Sequence, residues 1–249
     1  MSKINLSAAS RIGCIRSNNE DMVLAYDRFI RSEIYQTTIT SEILDRFIVA
    51  VADGMGGHNA GEVASELVMS NLKFFIGDLP LGMSSDEIEK TMRDWLNSIH
   101  QTVNGRGRSN HDMLQMGTTL VGLLYYGKRY FWMNCGDSRL YRLRNGELEQ
   151  LTTDHSLNNV NGEKKHSNIL TNCIGAGGET AYFDFMEITD DFLAGDTYLL
   201  CSDGLNDMVS DDIIKEQLLN GATANDLCEE AINAGGYDNV SACVLRIEK

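Results

Sequence analysis

Two amphipathic helical stripes follow one another in this chain with no strand signal between them. That order restricts the fold more than any other feature. Residues 61–75 place Ala64, Leu67, Val68, Leu72 and Phe75 on one helical face. Residues 86–103 carry Ile88, Met92, Trp95 and Ile99 at spacings of four, three and four, and Ser84 with Glu87 has the form of a capping box. Strand signals lie on both sides. Residues 47–52 are an unbroken aliphatic run, and 118–126, 130–135, 197–201 and 240–247 read the same way. Asn145-Gly146, between apolar segments at 140–143 and 148–151, predicts a hairpin. Two shorter helices are predicted over 211–219 and 225–233, with Thr223 and Asp226 as the capping box of the second. The order does not alternate βαβα, which argues against a doubly wound parallel sheet. It fits an α+β fold of antiparallel sheets packed together with helices outside.

A chain of 249 residues can bury one sizeable core, and 1–249 reads as a single domain. There are no repeats, no low-complexity stretch, and one proline, Pro80. Residues 156–180 are polar and partly Gly-rich, the best candidate for a mobile surface segment. Acidic residues number 36 against 21 basic ones, a net charge of -15. Such a chain repels a nucleic-acid backbone. Solubility explains part of the excess; buried carboxylates that await cations would explain the rest. Cys14, Cys135, Cys173, Cys201, Cys228 and Cys243 form no CxxC pair and mostly sit in apolar runs. They read as reduced core thiols of a cytoplasmic protein rather than a disulfide framework or zinc site. The first residues, MSKINLSAASRIG, hold no apolar stretch of signal-peptide length, and no segment approaches the roughly 18 apolar residues of a membrane span.

The chemistry lies in acidic punctuation marks at strand ends: Asp53-Gly54-Met55-Gly56, Gly136-Asp137-Ser138-Arg139, Ser202-Asp203-Gly204 and Asp238-Asn239. A single Asp-Gly is usually a turn. Four of them against apolar strands bring several carboxylates to one sheet edge, where they repel unless cations stand between them. Hard oxygen ligands select Mg²⁺ or Mn²⁺ over zinc. Nucleotide-loop readings fail, because GxGxxG breaks at Asn59 and the P-loop pattern from Gly56 gives Glu62-Val63 where Lys-Ser/Thr is needed. Arg16 stands four residues before Glu20-Asp21, and its planar fork of donors matches two phosphate oxygens.

In order along the chain stand Arg16-x-x-Asn19-Glu20-Asp21, Ala52-Asp53-Gly54-Met55-Gly56-Gly57-His58-x-x-Gly61-Glu62, Gly117-Thr118-Thr119, Gly136-Asp137-Ser138-Arg139, Leu151-Thr152-x-Asp154-His155-Ser156, Ser202-Asp203-Gly204-Leu205 and Asp238-Asn239. With these seven motifs the chain resembles the PPM, or PP2C-type, metal-dependent protein phosphatases in their bacterial form. The resemblance implies a four-layer αββα sandwich. It implies that Asp53 bridges two metals, that Asp203 and Asp238 complete one, and that Glu20 and the Gly54 carbonyl serve the other. Asp21, Thr119 and Asn239 would support them, Asp137 with Asp203 would hold a third, weaker metal, and Arg16 would grip the phosphate. Two Mn²⁺ or Mg²⁺ ions about 3.5–4 Å apart would activate a bridging water for in-line attack on phosphoserine or phosphothreonine. Phosphorylated proteins, and a Hanks-type kinase with its substrates, are the implied partners.

Two departures stand out. Eukaryotic relatives carry a histidine after the Asp-Gly, where this chain has Met55, as bacterial members do; His58 lies three residues on. His155 reads as a residue that fixes a turn, while His100, His111 and His166 show no partner signal. The flap after Ser156 is shorter than in bacterial relatives, which opens the question of substrate preference. The alternatives are a non-catalytic regulatory or binding module on the same fold, and a hydrolase of small phosphoesters.

Overall fold

The computed structural model describes residues 3–41, 44–56, 60–157 and 169–248. The chain begins with four strands, β1 (Lys3–Arg11), β2 (Met22–Ala25), β3 (Arg28–Ile30) and β4 (Ile34–Thr40). Next come β5 (Arg46–Ala52) and β6 (Gly54–Met55), then the helices α1 (Ala60–Asp78) and α2 (Ser85–Ser109). A run of strands follows: β7 (Gly117–Thr118), β8 (Leu120–Tyr126), β9 (Arg129–Cys135), β10 (Arg139–Arg144), β11 (Glu147–Gln150), β12 (Ile174–Gly175), β13 (Asp184–Glu187) and β14 (Thr197–Cys201). The short α3 (Asp203–Asn206), α4 (Asp211–Leu219), α5 (Ala224–Asn233) and β15 (Val240–Glu248) complete it.

Two six-stranded sheets, both antiparallel throughout, carry the fold. One runs β11-β10-β14-β15-β1-β4 and the other β13-β9-β8-β5-β2-β3. Side chains alternate across a strand, so β5 serves two cores. Ile48 and Ala50 pack against Val68, Leu72, Met92 and Trp95 of α1 and α2. Val49 and Val51 face the other sheet with Val121, Leu123, Leu200 and Leu245. A third core joins Leu199 and Val244 to Ile214, Leu218 and Leu227 of α4 and α5. Helix, sheet, sheet, helix is the four-layer order expected, and burial on both faces explains why residues 47–52 are apolar without alternation.

Both predicted capping boxes form. The Asn145-Gly146 hairpin has both residues at positive φ, 52° and 82°, as a two-residue turn of this twist requires. Other expectations are corrected. β1 to β4 and β13 were not foreseen: β1 and β4 carry Asn5, Ser7, Gln36 and Thr38 in place of an aliphatic run, and β2, β3 and β13 are each only three or four residues long. Residues 118–126 are two strands, not one. Cys14 is exposed, whereas Cys135, Cys201, Cys228 and Cys243 are buried; all six are free thiols. His100 does have partners: its Nδ1 accepts from Gly175 N–H at 3.0 Å and its Nε2 lies 3.0 Å from Gly178 O. Of the expected mobile segment, 158–168 lies outside the described residues. Its later part is anchored, with Thr171 N–H donating to His155 O at 2.8 Å and Ile174 buried. Among the described residues no helix is long and apolar enough to cross a membrane.

Candidate metal centre

Both central strands break at the same level of the sandwich. β5 and β8 pair in the large sheet, but beyond Asp53 and Thr119 their chains continue as β6 and β7 in a small sheet with β12. At this step Asp53 N–H donates to Thr119 Oγ1 at 3.0 Å. Asp53 O accepts from Thr119 N–H at 2.9 Å and from Thr118 Oγ1 at 2.8 Å. Thr119 Oγ1 is in turn 2.6 Å from Ser138 Oγ, which follows Asp137. The Asp53 backbone is therefore pinned while its carboxylate points into a cleft.

The remaining acids arrive from loops at the same end. β1 pairs β15 from Lys3↔Glu248 to Arg11↔Val240, so the loop after Arg11 and the loop before Val240 meet. Asn239 ties them: its Oδ1 accepts from Glu20 N–H at 2.8 Å, and its Nδ2 donates to Ile12 O and Asn18 O, both at 2.9 Å. Asp21 is fully buried behind the cleft and accepts from Ser202 Oγ at 2.7 Å, next to Asp203 at the start of α3. Ser65 of α1 donates to Glu20 O at 2.6 Å. Gly54 is where these parts meet: a Cβ there would lie 2.2 Å from Gly61 O and 2.6 Å from Glu20 O. Only glycine permits that approach.

Arg16, Glu20, Asp53, Gly54, Thr119, Asp137, Asp203 and Asp238 thus line one cleft of about 290 Å³, together with Met55, Gly56 and Leu170. Asp21 and Asn239 stand directly behind it. All ten residues singled out in the sequence converge on this one end. His58 lies outside the described residues.

The electrostatics are strained. Burial, then the charges of Asp21 and Asp203, pushes Asp53 well above the usual carboxylate range. Asp21 is raised to about 7 by burial against its Ser202 hydrogen bond. Asp137 is raised to about 7 by burial and then by Asp203, and Asp203 to about 6 chiefly by burial. Burial raises Glu20 too, with Arg16 opposing. Among the described residues Arg16 is the only basic side chain that lines the cleft, and it is committed to Asp238, Nη2 to Oδ2 at 2.6 Å. Asp203 Oδ1 and Asp21 Oδ1 are buried with no hydrogen-bond partner among the described residues.

A buried anionic oxygen needs a donor or a cation. The donors on offer here are carboxylates and one backbone carbonyl, the set that hard divalent cations take. Among the described residues no three such side chains already close around a single point. The fit rests on the donor chemistry, which suits Mg²⁺ and Mn²⁺.

Sequence reasoning missed the supports. His155 N–H donates to Gly136 O at 3.0 Å, its Nδ1 accepts from Gly136 N–H at 3.1 Å, and its Nε2 is 2.9 Å from Asp184 Oδ2. It fixes the turn that carries Asp137, as expected of a turn residue, but the Asp184 partner had no sequence signal. Arg139 and Asp154 form a two-pronged ion pair, with Nη2 to Oδ2 at 2.7 Å, which links two motifs whose relation was unread. Leu170 at the cleft was also unforeseen.

Comparison with known proteins gives the same class. The family model for protein phosphatase 2C matches residues 37–234. The chain is 35% identical to the serine/threonine protein phosphatase PstP of Mycobacterium tuberculosis over 98% of its own length and 45% of that protein's. It therefore spans about half the length of that relative. It is also 35% identical to the serine/threonine phosphatase stp of Listeria welshimeri, over 81% of this chain and 84% of that one. The crystal structure of the PstP catalytic domain in complex with two manganese ions superposes with a TM-score of 0.75 at 34% identity, covering all of both chains. The chain belongs to the protein phosphatase 2C family.

Proposed function

We propose that this chain is a metal-dependent protein serine/threonine phosphatase that hydrolyses phosphoserine and phosphothreonine. One observation carries the reading: Glu20, Asp53, Asp203 and Asp238 face a single cleft beside Arg16. In this reading Asp53 with Asp203 and Asp238 would hold one Mn²⁺ or Mg²⁺ ion, and Asp53 with Glu20 and the Gly54 carbonyl would hold a second. Asp137 with Asp203 holds a third, weaker ion. That the similar PstP catalytic domain was solved with two manganese ions supports divalent cations at such a cleft. When bound, the ions supply an activated water and offset the phosphate charge.

The chain's own residues do the positioning. Asp53 is held by its three backbone hydrogen bonds and cannot drift. Arg16 exchanges its bond to Asp238 for two phosphate oxygens, a geometry its fork matches. Asp21, Thr119 and Asn239 fix the loops behind. No protein nucleophile is required, which agrees with burial pushing the Cys135 and Cys201 thiols up. Residues 1–249 act as one domain. The substrates are phosphoproteins, with a Hanks-type kinase and its targets as partners, in a cytoplasmic setting that the free cysteines favour.

The test is hydrolysis of a phosphothreonine peptide with Mn²⁺, with EDTA, and by Asp203→Asn. Turnover that requires Mn²⁺ and is lost in both controls is the expected result. A folded, Mn²⁺-binding wild type with no turnover would leave a binding module as the better reading.

A further inference from the structure

Two of the most exposed large apolar side chains flank the phosphate grip. Ile15 is 66% exposed and precedes Arg16; Tyr237 is 63% exposed and precedes Asp238. Single exposed apolar residues are ordinary. These two are set apart by their position, because their loops are bound together. Cys14 N–H donates to Gly236 O at 2.7 Å, Arg16 pairs with Asp238 at 2.6 Å, and a Cβ on Gly13 would lie 2.2 Å from Asp238 O. A Cβ on Gly235 would press on the Tyr237 ring at 3.1 Å, and one on Gly236 would meet Cys14 at 3.0 Å. Leu170 also lines the cleft, held by its bridge to Ser156. Ile15 and Tyr237 stand on the two bound loops that bring Arg16 and Asp238 to it.

Resting on the phosphatase reading above, we propose that Ile15 and Tyr237 form an apolar lip that receives the side chain next to the phosphorylated residue. The preferred substrates then carry a large apolar residue beside their phosphoserine or phosphothreonine. An extended peptide advances about 3.3 Å per residue. When its phosphate meets Arg16, the neighbouring side chain lands on the residues adjoining Arg16 and Asp238. The floor's acids, Glu20, Asp53, Asp137, Asp203 and Asp238, with a net chain charge of -15, repel an acidic neighbour.

The experiment uses three phosphothreonine peptides that differ only in the flanking residue, Leu, Lys or Asp, and a small aryl phosphate. Turnover and peptide binding are measured for wild type and for Ile15→Ser with Tyr237→Ser. Both positions are exposed, so the fold is retained. The expected result is a preference for the Leu peptide of about tenfold over the Asp peptide, the effect of one partly buried apolar side chain. It is lost in the double variant while aryl phosphate turnover is unchanged. Equal use of the three peptides, a preference for the Lys peptide, or a Leu preference that survives both substitutions overturns the proposal. Preferential binding of the Leu peptide without any turnover would keep the lip and sink the phosphatase reading; absence of both sinks the two together.

Discussion

Aspartates occupy two crowded places in this molecule, and they behave in opposite ways. At the far edge of the first sheet, Asp191 and Asp196 face Arg142 and Arg144. Arg144 reaches Asp196 through Nε at 2.8 Å and Nη2 at 2.6 Å, and Asp191 through Nη1 at 2.6 Å. Arg142 also bonds Asp191. Hydrogen bonds from Arg144 and then Arg142 hold Asp191 below the usual carboxylate range. In the cleft, Asp53, Asp137 and Asp203 face one another and are raised. Where arginines neutralise the acids, the cluster is a finished piece of structure. Where acids are left to repel, the fold holds an unfinished charge balance that only a cation or a proton can close.

The largest break in the comparison should come from Asp53→Asn. Turnover of a phosphothreonine peptide is expected to fall on the order of a thousandfold, while the metal-free protein melts at a slightly higher temperature because one buried repulsion is gone. Unchanged turnover would show that Asp53 is structural after all. Asp196→Ala should do the reverse. It removes the nearly buried partner of Arg144, which keeps Asp191, and costs about 2 kcal/mol in urea unfolding, yet turnover per folded molecule stays at the wild-type level.

The two places also predict opposite pH responses, with a smaller effect. Asp21 and Asp137, raised to about 7, and Asp203, raised to about 6, hold protons in the folded state that the unfolded chain has lost. Their contribution is fully present below about pH 4 and is lost as pH rises through the folded values. In EDTA the melting temperature should therefore drop between pH 5 and 8, and Mn²⁺ should flatten that slope. Asp191 is lowered, so its contribution is present above about pH 4 and lost on acidification. Asp191→Asn should weaken only the acid-side loss and leave the neutral slope intact. An EDTA profile that is flat from pH 5 to 8 would remove the claimed repulsion in the cleft.

The sequence made the cleft acids readable because each abuts an apolar strand, as Asp53 follows Val49 to Ala52 and Asp203 follows Leu199 to Cys201. It made α4 and β14 readable to the residue, since their apolar positions face one core or fill a strand buried along its length. It hid β4, an edge strand whose Gln36 and Thr38 are not apolar, and it hid the step at Thr119, where a hydroxyl replaces one strand pairing by a bond to Asp53. His155 with Asp184 and Arg139 with Asp154 were illegible for a different reason. These partners are joined by turns and sheet pairing, and nothing in either residue type announces the other.

The cleft is assembled from opposite extremes of the described chain. Glu20 N–H donates to the Asn239 side chain, and Arg16 pairs with Asp238. During synthesis, residues 16–21 leave the ribosome early and wait for more than two hundred others before those partners exist. A growing chain, or a fragment cut ahead of residue 238, carries Asp53 and Asp203 but no closed site. Such a product lacks Asp238, Asn239 and β15 together, so the cleft closes only in molecules whose synthesis has passed β15.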